Sequence, residues 1–199
     1  MNIAIIGKGN VGKALGASLA TAGHSVSYTG SAGGHAAQVA SADVVVFAVP
    51  YGAVEGIARE IAPVVAGKVV VDATNPLKAD FSGLATEGGP SGAEILATLL
   101  PGARVVKAFN TLFAGLQGNP DLHGRQLDVL YATDDDAAGK AVAALAGAIG
   151  FRPVLVGPLS AAKELESLAW LNIRLQVIHK GSWQSSLVLV GAPEAATAG

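Results

Sequence analysis

The sequence contains no cysteine among its 199 residues. This absence excludes disulfide bonds, thiolate catalysis and cysteine-based metal sites. Aromatic residues make up only 5% of the chain and charged residues only 14%, whereas hydrophobic residues make up 51%. Because disorder requires low hydrophobicity and a high net charge, we expect a folded chain with a sizeable core of mostly small residues.

Basic segments and long apolar segments are also missing. The chain carries 13 Lys and Arg residues against 15 Asp and Glu residues, a net charge of −2, so no surface for nucleic acid is predicted. No apolar run reaches the ~18 residues of a membrane-spanning helix. The N-terminal residues lack the charged region and cleavage site of a signal peptide. We therefore expect a cytoplasmic protein whose partner is a small molecule, rather than a nucleic acid or a membrane.

Strand patterns and helix patterns alternate along most of the chain. A short apolar run at residues 2–6 is followed by helical spacing over 10–22, and the clearest strand pattern covers 43–49. Such alternation predicts an α/β fold with a Rossmann-like, doubly wound, mostly parallel sheet. The last helical pattern covers 160–179 and predicts a small helical C-terminal segment over 158–199.

The turn after the first predicted strand carries the sequence Gly-Lys-Gly-Asn-Val-Gly at residues 7–12. The G-x-G-x-x-G spacing between a strand and a helix is typical of a dinucleotide-binding loop. Gly7 allows the tight turn, Gly9 lets the backbone approach a pyrophosphate, and Gly12 lets the helix pack on the strand. The N–H groups at the helix start then attract the phosphates. We therefore expect residues 1–157 to form a dinucleotide-binding domain.

The end of the second predicted strand indicates which dinucleotide fits. NAD-binding proteins usually place an acid there to hold the ribose hydroxyls, whereas residues 28–32 (Tyr-Thr-Gly-Ser-Ala) contain none. The absence of an acid favours NADP, with NAD possible, although the Arg that usually clamps a 2′-phosphate is also missing. Thr29 and Ser31 could donate hydrogen bonds to this phosphate, and His35 could add charge.

Five motifs occur in order: IGKGNVG at 6–12, FAVPY at 47–51, VDATNPL at 71–77, VVKAFNT at 105–111 and RPVLVGPL at 152–159. Together they resemble the NADPH-dependent coenzyme F420 reductase family, the F420H2:NADP oxidoreductases. The nucleotide-binding domain of the STEAP metalloreductases is a relative of that family. The resemblance covers nearly the whole chain, and Asn110, where archaeal members carry His, is similar to the bacterial branch.

The resemblance implies hydride transfer between NADP(H) and a flavin or the deazaflavin F420 as co-substrate. It implies a homodimer in which the C-terminal segment contributes to the acceptor cleft and the interface. The implied cofactor-binding residues are Gly7, Gly9, Asn10, Val11 and Gly12 at the pyrophosphate, Thr29, Gly30 and Ser31 at the 2′-phosphate, Ala48, Val49 and Pro50 along the nucleotide, and Ala73, Asn75, Ala108, Phe109 and Asn110 near the nicotinamide. Leu112, Phe113 and Leu159 would form the wall against which the acceptor ring stacks.

Two other functions stay open at this stage. The first is an imine or keto-acid reductase of the β-hydroxyacid dehydrogenase or pyrroline-carboxylate reductase type, whose members share the opening fold and add a larger helical domain. The second is a non-catalytic module that senses NAD(P). The four His residues are scattered along the sequence, so no catalytic acid or base and no metal site is predicted.

Overall fold

The computed structural model describes residues 1–30 and 33–191. Within these ranges the strands are β1 (Asn2–Ile6), β2 (Ser25–Thr29), β3 (Val44–Phe47), β4 (Val69–Asp72), β5 (Arg104–Ala108), β6 (Asp121–Leu122), β7 (Arg125–Gln126), β8 (Asp128–Thr133) and β9 (Arg152–Gly157). The α-helices are α1 (Asn10–Thr21), α2 (His35–Ala40), α3 (Val54–Ile61), α4 (Gly92–Leu99), α5 (Asp136–Ala148) and α6 (Ala162–His179).

Seven strands form one sheet in the order β2-β1-β3-β4-β5-β8-β9. Strands β1 to β5 are parallel to one another, which confirms the predicted doubly wound, mostly parallel sheet. Strand β8 runs antiparallel to β5, with Val106 opposite Thr133, and β9 is parallel to β8. The chain order reverses between β1 and β3, so the loops after these two strands diverge and leave a crevice at the carboxyl edge.

The sheet is buried on both faces, because its central strands are continuous apolar runs. Side chains of β1 alternate between the two layers: Ile3 and Ile5 pack with α1 and α5, whereas Ala4 and Ile6 pack with α2, α3 and α4. Small residues bring α1 close to the sheet, since a Cβ on Gly16 would overlap the ring of Tyr28. The crevice therefore opens at the ends of β1 and β3, whose side chains are almost all buried.

After α6 the chain turns back along the helix. The hydroxyl of Ser185 donates to Asn172 Oδ1 at 2.6 Å, and the backbone N–H of Leu189 donates to Asp128 Oδ2 at 2.8 Å. Residues 181–191 are therefore tied both to α6 and to the start of β8. Within residues 1–30 and 33–191, no helix combines the length and the apolar character needed to cross a membrane.

Candidate functional site

The loop after β1 requires two of its glycines for steric reasons. Gly7 has a φ of +119°, and a Cβ there would overlap the carbonyl oxygen of Ala48. A Cβ on Gly12 would overlap the carbonyl oxygen of Gly7 and would lie 3.2 Å from the Ile5 side chain. These contacts agree with the roles predicted for Gly7 and Gly12, a tight turn and close packing of helix on strand.

Gly9 meets a different environment, because a Cβ built there has no atom of the described chain within 4 Å. Gly9 is also the N-cap of α1, no side chain of the described residues caps it, and the first turn of α1 carries no acid. The N–H groups at this helix start therefore remain open to an anion, as a bound pyrophosphate requires.

A cavity of about 940 Å³ lies beside this loop, and we call it the loop cavity. It is lined by Gly7, Lys8, Gly9, Gly30, Gly33, His35, Ala48, Val49, Pro50, Ala53, Gly56, Ile57 and Glu60. The cavity thus brings together residues that follow β1, β2 and β3. Six of the predicted cofactor-binding residues are among them, and the volume suits the adenosine half of a dinucleotide.

Two residues that line the loop cavity, His35 and Glu60, form a hydrogen-bonded group with Thr29 at the end of β2. His35 Nδ1 lies 2.6 Å from the hydroxyl of Thr29, and the His35 backbone N–H donates to Glu60 Oε1 at 2.6 Å. His35 Nε2 is 3.9 Å from Glu60 Oε2. Thr29 is thus engaged within the protein, and Ser31 lies outside the described residues. The sequence around β2 contains no acid, but in the folded chain Glu60 of α3 lies near the end of this strand.

The opposite side of the α1 start faces a smaller pocket of about 130 Å³, which we call the asparagine pocket. It is lined by Val11, Asn75, Asn110, Thr111, Leu112, Phe113, Ala114, Ala169 and Ile173. The pocket brings residues that follow β4 and β5 next to Val11 at the start of α1.

Hydrogen bonds fix the orientation of Asn110 in this pocket. Its Nδ2 donates to Asn75 Oδ1 at 2.9 Å and to the carbonyl of Leu165 at 3.1 Å, while Asn75 Nδ2 donates to the Asn110 carbonyl at 2.9 Å. Asn110 Oδ1 is buried and has no donor among the described residues. A buried acceptor without a donor is costly unless a ligand completes it. The carboxamide of a nicotinamide offers such a donor, so the residues present fit this group.

The turn that carries Asn110 has an unusual backbone. Phe109 adopts a φ of +65°, which is rare for a residue other than glycine. Gln117 Nε2 holds the turn by donating to the carbonyls of Phe109 at 2.9 Å and Leu112 at 3.0 Å. The strained turn therefore directly precedes Asn110, and Asn110 Oδ1 and Gln117 Oε1 are both buried acceptors without a donor among the described residues.

Four predicted residues do not line the asparagine pocket. Ala73, Ala108 and Phe109 are buried in the core layer of α1 and α5, and Leu159 is buried in the opposite layer with Ile6. The prediction that Leu159 contributes to the acceptor wall is therefore wrong, because its side chain fills the core on the other face of the sheet. Leu112 and Phe113 do line the pocket, as predicted.

A buried ionic cluster fixes α6 over the carboxyl edge of the sheet. Lys107 Nζ donates to Asp72 Oδ2 at 2.9 Å, to Glu166 Oε1 at 2.9 Å and to the Thr74 carbonyl at 2.7 Å. Glu166 Oε2 also accepts from the Gly92 N–H at 3.2 Å. Burial raises the pKa of Glu166 despite the nearby Lys107. Burial, and next the charges of Glu166 and Asp72, raise the pKa of the Tyr51 phenol.

A third cavity of about 800 Å³ adjoins the asparagine pocket, and we call it the aromatic cavity. It is lined by Leu77, Asp80, Phe81, Ser82, Phe113, Trp170, Ile173, Arg174, Val177, Ile178 and Trp183. Phe113 and Ile173 line both spaces. The rings of Phe113 and Trp183 are 5.2 Å apart in an edge-to-face arrangement. Sequence reasoning missed Phe81 and Trp183, because isolated aromatic residues in loops give no periodic signal.

The strand order and the flanking helices define a Rossmann-like fold, with three cavities at the carboxyl edge of its sheet. The family model described as "NADP oxidoreductase coenzyme F420-dependent" matches residues 31–76. The structure of a candidate F420-dependent NADP-reductase from Arthrobacter sp. FB24 is similar, with 27% identity, coverage of 96% of this chain and 99% of that chain, and a TM-score of 0.87. Both findings support the resemblance of this chain to the coenzyme F420-dependent NADP oxidoreductases.

More distant relatives share part of the sequence or the fold alone. Metalloreductase STEAP3 from Rattus norvegicus is 38% identical over 109 residues, which are 54% of this chain and 21% of STEAP3. The chain thus spans about a fifth of the length of the curated relatives it matches. A reductive aminase from Aspergillus terreus in complex with NADPH shares the fold, with a TM-score of 0.66, 21% identity and coverage of 90% of this chain and 62% of that chain.

Proposed function

We propose that this chain catalyses hydride transfer between NADP(H) and the flat ring of a flavin or of the deazaflavin F420. The observation that carries the proposal is the buried, donor-free Asn110 Oδ1 in a pocket that adjoins an aromatic cavity. Asn110 Oδ1, which can accept a hydrogen bond from an amide, thus lies beside the aromatic cavity, whose shape suits a planar ring.

The chain's own residues would bind and orient the two reactants. The N–H groups at the start of α1 would hold the pyrophosphate, since Gly9 lines the loop cavity and Val11 lines the asparagine pocket. Asn110 Oδ1 would accept a hydrogen bond from the carboxamide and fix the orientation of the nicotinamide. The nicotinamide supplies the hydride when it is bound. Positioning of this kind lowers the barrier by up to roughly 7–11 kcal/mol.

The chemistry of the asparagine pocket supports hydride transfer without acid–base catalysis. Within the described part of the chain, its lining residues are Asn, Thr and apolar side chains, and none titrates near neutral pH. Reduction of an imine or a keto acid needs a proton donor at the reacting atom. Reduction of a flavin-like ring at carbon or nitrogen places less demand on the protein, because the cofactors supply the reacting atoms.

The aromatic cavity supports a ring-shaped acceptor. Phe113, Trp170 and Trp183 offer faces and edges against which a planar ring can stack. Ser82, Trp170 and Arg174 also line an adjoining polar cavity of about 620 Å³. An anionic tail on the acceptor would find the Arg174 guanidinium there.

The test is to mix the chain with NADPH and, in separate reactions, FMN, FAD or F420, and to follow absorbance at 340 nm and, for F420, at 420 nm. We expect acceptor-dependent loss of NADPH with at least one of the three. NADPH binding without turnover would support the sensing module instead. Turnover only with imines or keto acids would support the alternative reductase.

We also propose that two chains associate through the C-terminal half of α6. Leu171, Leu175, Val177 and Ile178 are exposed on this helix, and burying them against a second copy would be favourable. Sedimentation analysis of the wild-type chain and of Leu171→Glu is the test: a wild-type dimer that dissociates in the variant supports it, and a wild-type monomer contradicts it. The cytoplasmic location stays a prediction.

A further inference from the structure

The lysine of the phosphate loop extends towards the end of β2. The Cδ, Cε and Nζ atoms of Lys8 each lie 3.8 Å from the position of a Cβ on Gly30, so the side chain lies across this glycine. Lys8 is exposed and lines the loop cavity. Its ammonium therefore lies beside Gly30, directly after the end of β2.

Besides Lys8, the residues with acidic or basic side chains that line this cavity are Glu60 and His35. The Glu60 carboxylate is engaged by His35, because its Oε1 accepts from the His35 N–H at 2.6 Å and its Oε2 lies 3.9 Å from His35 Nε2. Lys8 itself forms no ion pair with any of the described residues. The loop cavity thus contains an uncommitted cation and a carboxylate that is already engaged.

We infer that Lys8 is the residue that selects NADP(H) over NAD(H), by binding the 2′-phosphate of the adenosine ribose. The inference rests on the proposed dinucleotide function and adds a specificity-determining residue to it. The β2 loop of NAD-binding folds ends in an acid that holds the ribose hydroxyls, and the position of this acid is occupied here by residues without charge. Gly30, which has no side chain, leaves room for both the lysine and the phosphate. Lys8 thereby replaces the missing Arg.

Titration calorimetry with NADPH and NADH tests this role in the wild-type chain and in Lys8→Met. Since hydrogen bonds to a charged phosphate are stronger than neutral ones, we expect the dissociation constant of NADPH to rise about 10- to 100-fold. The dissociation constant of NADH should change less than about threefold, because NADH has no 2′-phosphate. Lys13→Met is the matched control: Lys13 is exposed on α1 and its loss changes the net charge equally.

Two further measurements separate the possible outcomes. 2′,5′-ADP and 5′-AMP both lack the nicotinamide, and Lys8→Met should weaken binding of 2′,5′-ADP but not of 5′-AMP. Lys8→Arg should restore tight binding of NADPH. Equal weakening of NADPH and NADH in Lys8→Met would place Lys8 on the pyrophosphate and overturn the inference, as would unchanged affinities. A wild-type chain that binds neither nucleotide would overturn the proposed function and the inference together.

Discussion

Single atoms determine what the phosphate loop can hold. The carbonyl oxygens of Ala48 and Gly7 leave no space for a side chain at Gly7 or Gly12, whereas Gly9 faces open space beside the uncapped start of α1. Gly7 and Gly12 are therefore required by the fold, whereas Gly9 is required only by a ligand. This distinction can be tested, because a substitution at Gly9 should affect binding far more than folding.

Gly9→Val should abolish NADPH binding, because the valine side chain would fill the space through which the pyrophosphate reaches the backbone. Stability should fall only slightly, by about 1 kcal/mol for a poorer N-cap residue. Calorimetry with NADPH and thermal unfolding of the same samples measure the two effects. Gly147→Val is the control, since Gly147 is also free of neighbouring atoms and lies on α5. A folded Gly9→Val chain with unchanged NADPH affinity would contradict the placement of the pyrophosphate.

Asn110→Leu should weaken NADPH binding by about 1–3 kcal/mol, because the variant lacks the buried acceptor for the carboxamide. Binding of 2′,5′-ADP, which has no nicotinamide, should remain unchanged in the same folded variant. The comparison of the two ligands separates a local loss from a general disruption of the site. Equal losses for both ligands would show that Asn110 supports the structure and does not contact the nicotinamide.

The residue roles were only partly predictable from the sequence. The spacing of Gly7, Gly9 and Gly12 follows from the chemistry of phosphate binding, and the structure places Gly7 and Gly12 as that chemistry requires. Glu60 was missed, because an acid on α3 reaches the end of β2 only after the sheet has formed. The unsatisfied oxygen of Asn110 depends on two hydrogen bonds across the fold, and no local pattern in the sequence indicates it.

At the scale of the elements, α6 depends on one buried ionic cluster. Lys107 on β5 pairs with Asp72 at the end of β4 and with Glu166 on α6, and all three side chains are almost fully buried. The cluster thus links two strands to the helix that covers the asparagine pocket. Breaking a buried cluster is costly because charges are left without partners.

Lys107→Met should destabilise the chain by about 3–5 kcal/mol, since two buried carboxylates would lose their common cation. Urea unfolding followed by circular dichroism measures this difference. The control is Lys163→Met, whose exposed pair with Glu94 at 4.0 Å should contribute at most about 1 kcal/mol. Similar small losses in both variants would contradict a structural role for the cluster.

Glu166 should also give stability a specific dependence on pH. Burial raises the pKa of Glu166 in the folded chain. As the pH rises, the Glu166 carboxyl group therefore loses its proton at a lower pH in the unfolded chain than in the folded chain. The contribution of Glu166 to the free energy of unfolding should therefore fall as the pH rises from about 4.5 through the raised pKa. Glu166→Gln has no carboxyl group at this position and should lack this pH-dependent fall in the free energy of unfolding. The stability of the variant relative to wild type should therefore increase as the pH rises over the same range. Urea titrations between about pH 4 and 7 test this; a relative stability that is constant or falls with pH would contradict it.

The helices and most strands were predicted well, because continuous apolar runs and helical periodicity are local signals. For example, the structure places β1 at Asn2–Ile6 and β3 at Val44–Phe47, within the strand patterns at 2–6 and 43–49. The reversal of β8 was not predicted, since a buried strand has the same pattern in either direction. Residues 121–126 form a two-stranded hairpin too short to give a periodic signal.

At the scale of the whole molecule, three spaces follow one another along the carboxyl edge of the sheet. The α1 start lies between the loop cavity and the asparagine pocket, and Phe113 separates that pocket from the aromatic cavity. The sequence and the family resemblance indicated the loop cavity and the asparagine pocket. The aromatic cavity depends on residues 80–82, α6 and Trp183, which come together only in the folded chain.

Trp170→Ala should raise the KM for the acceptor roughly tenfold, because the indole offers a stacking surface worth about 1 kcal/mol or more. The dissociation constant of NADPH should change less than about twofold, since Trp170 does not line the two nucleotide spaces. Steady-state kinetics with FMN or F420 and calorimetry with NADPH measure these effects. Leu155→Ala is the control, because Leu155 is exposed on β9 and lines none of the three cavities. An unchanged KM in Trp170→Ala would place the acceptor elsewhere.

The most direct test is a crystal structure of the chain with NADP+. The pyrophosphate should lie against the N–H groups of Asn10 and Val11, and the carboxamide nitrogen should lie within hydrogen-bonding distance of Asn110 Oδ1. A nucleotide bound with its nicotinamide outside the asparagine pocket, or a pyrophosphate away from the start of α1, would contradict the proposed site.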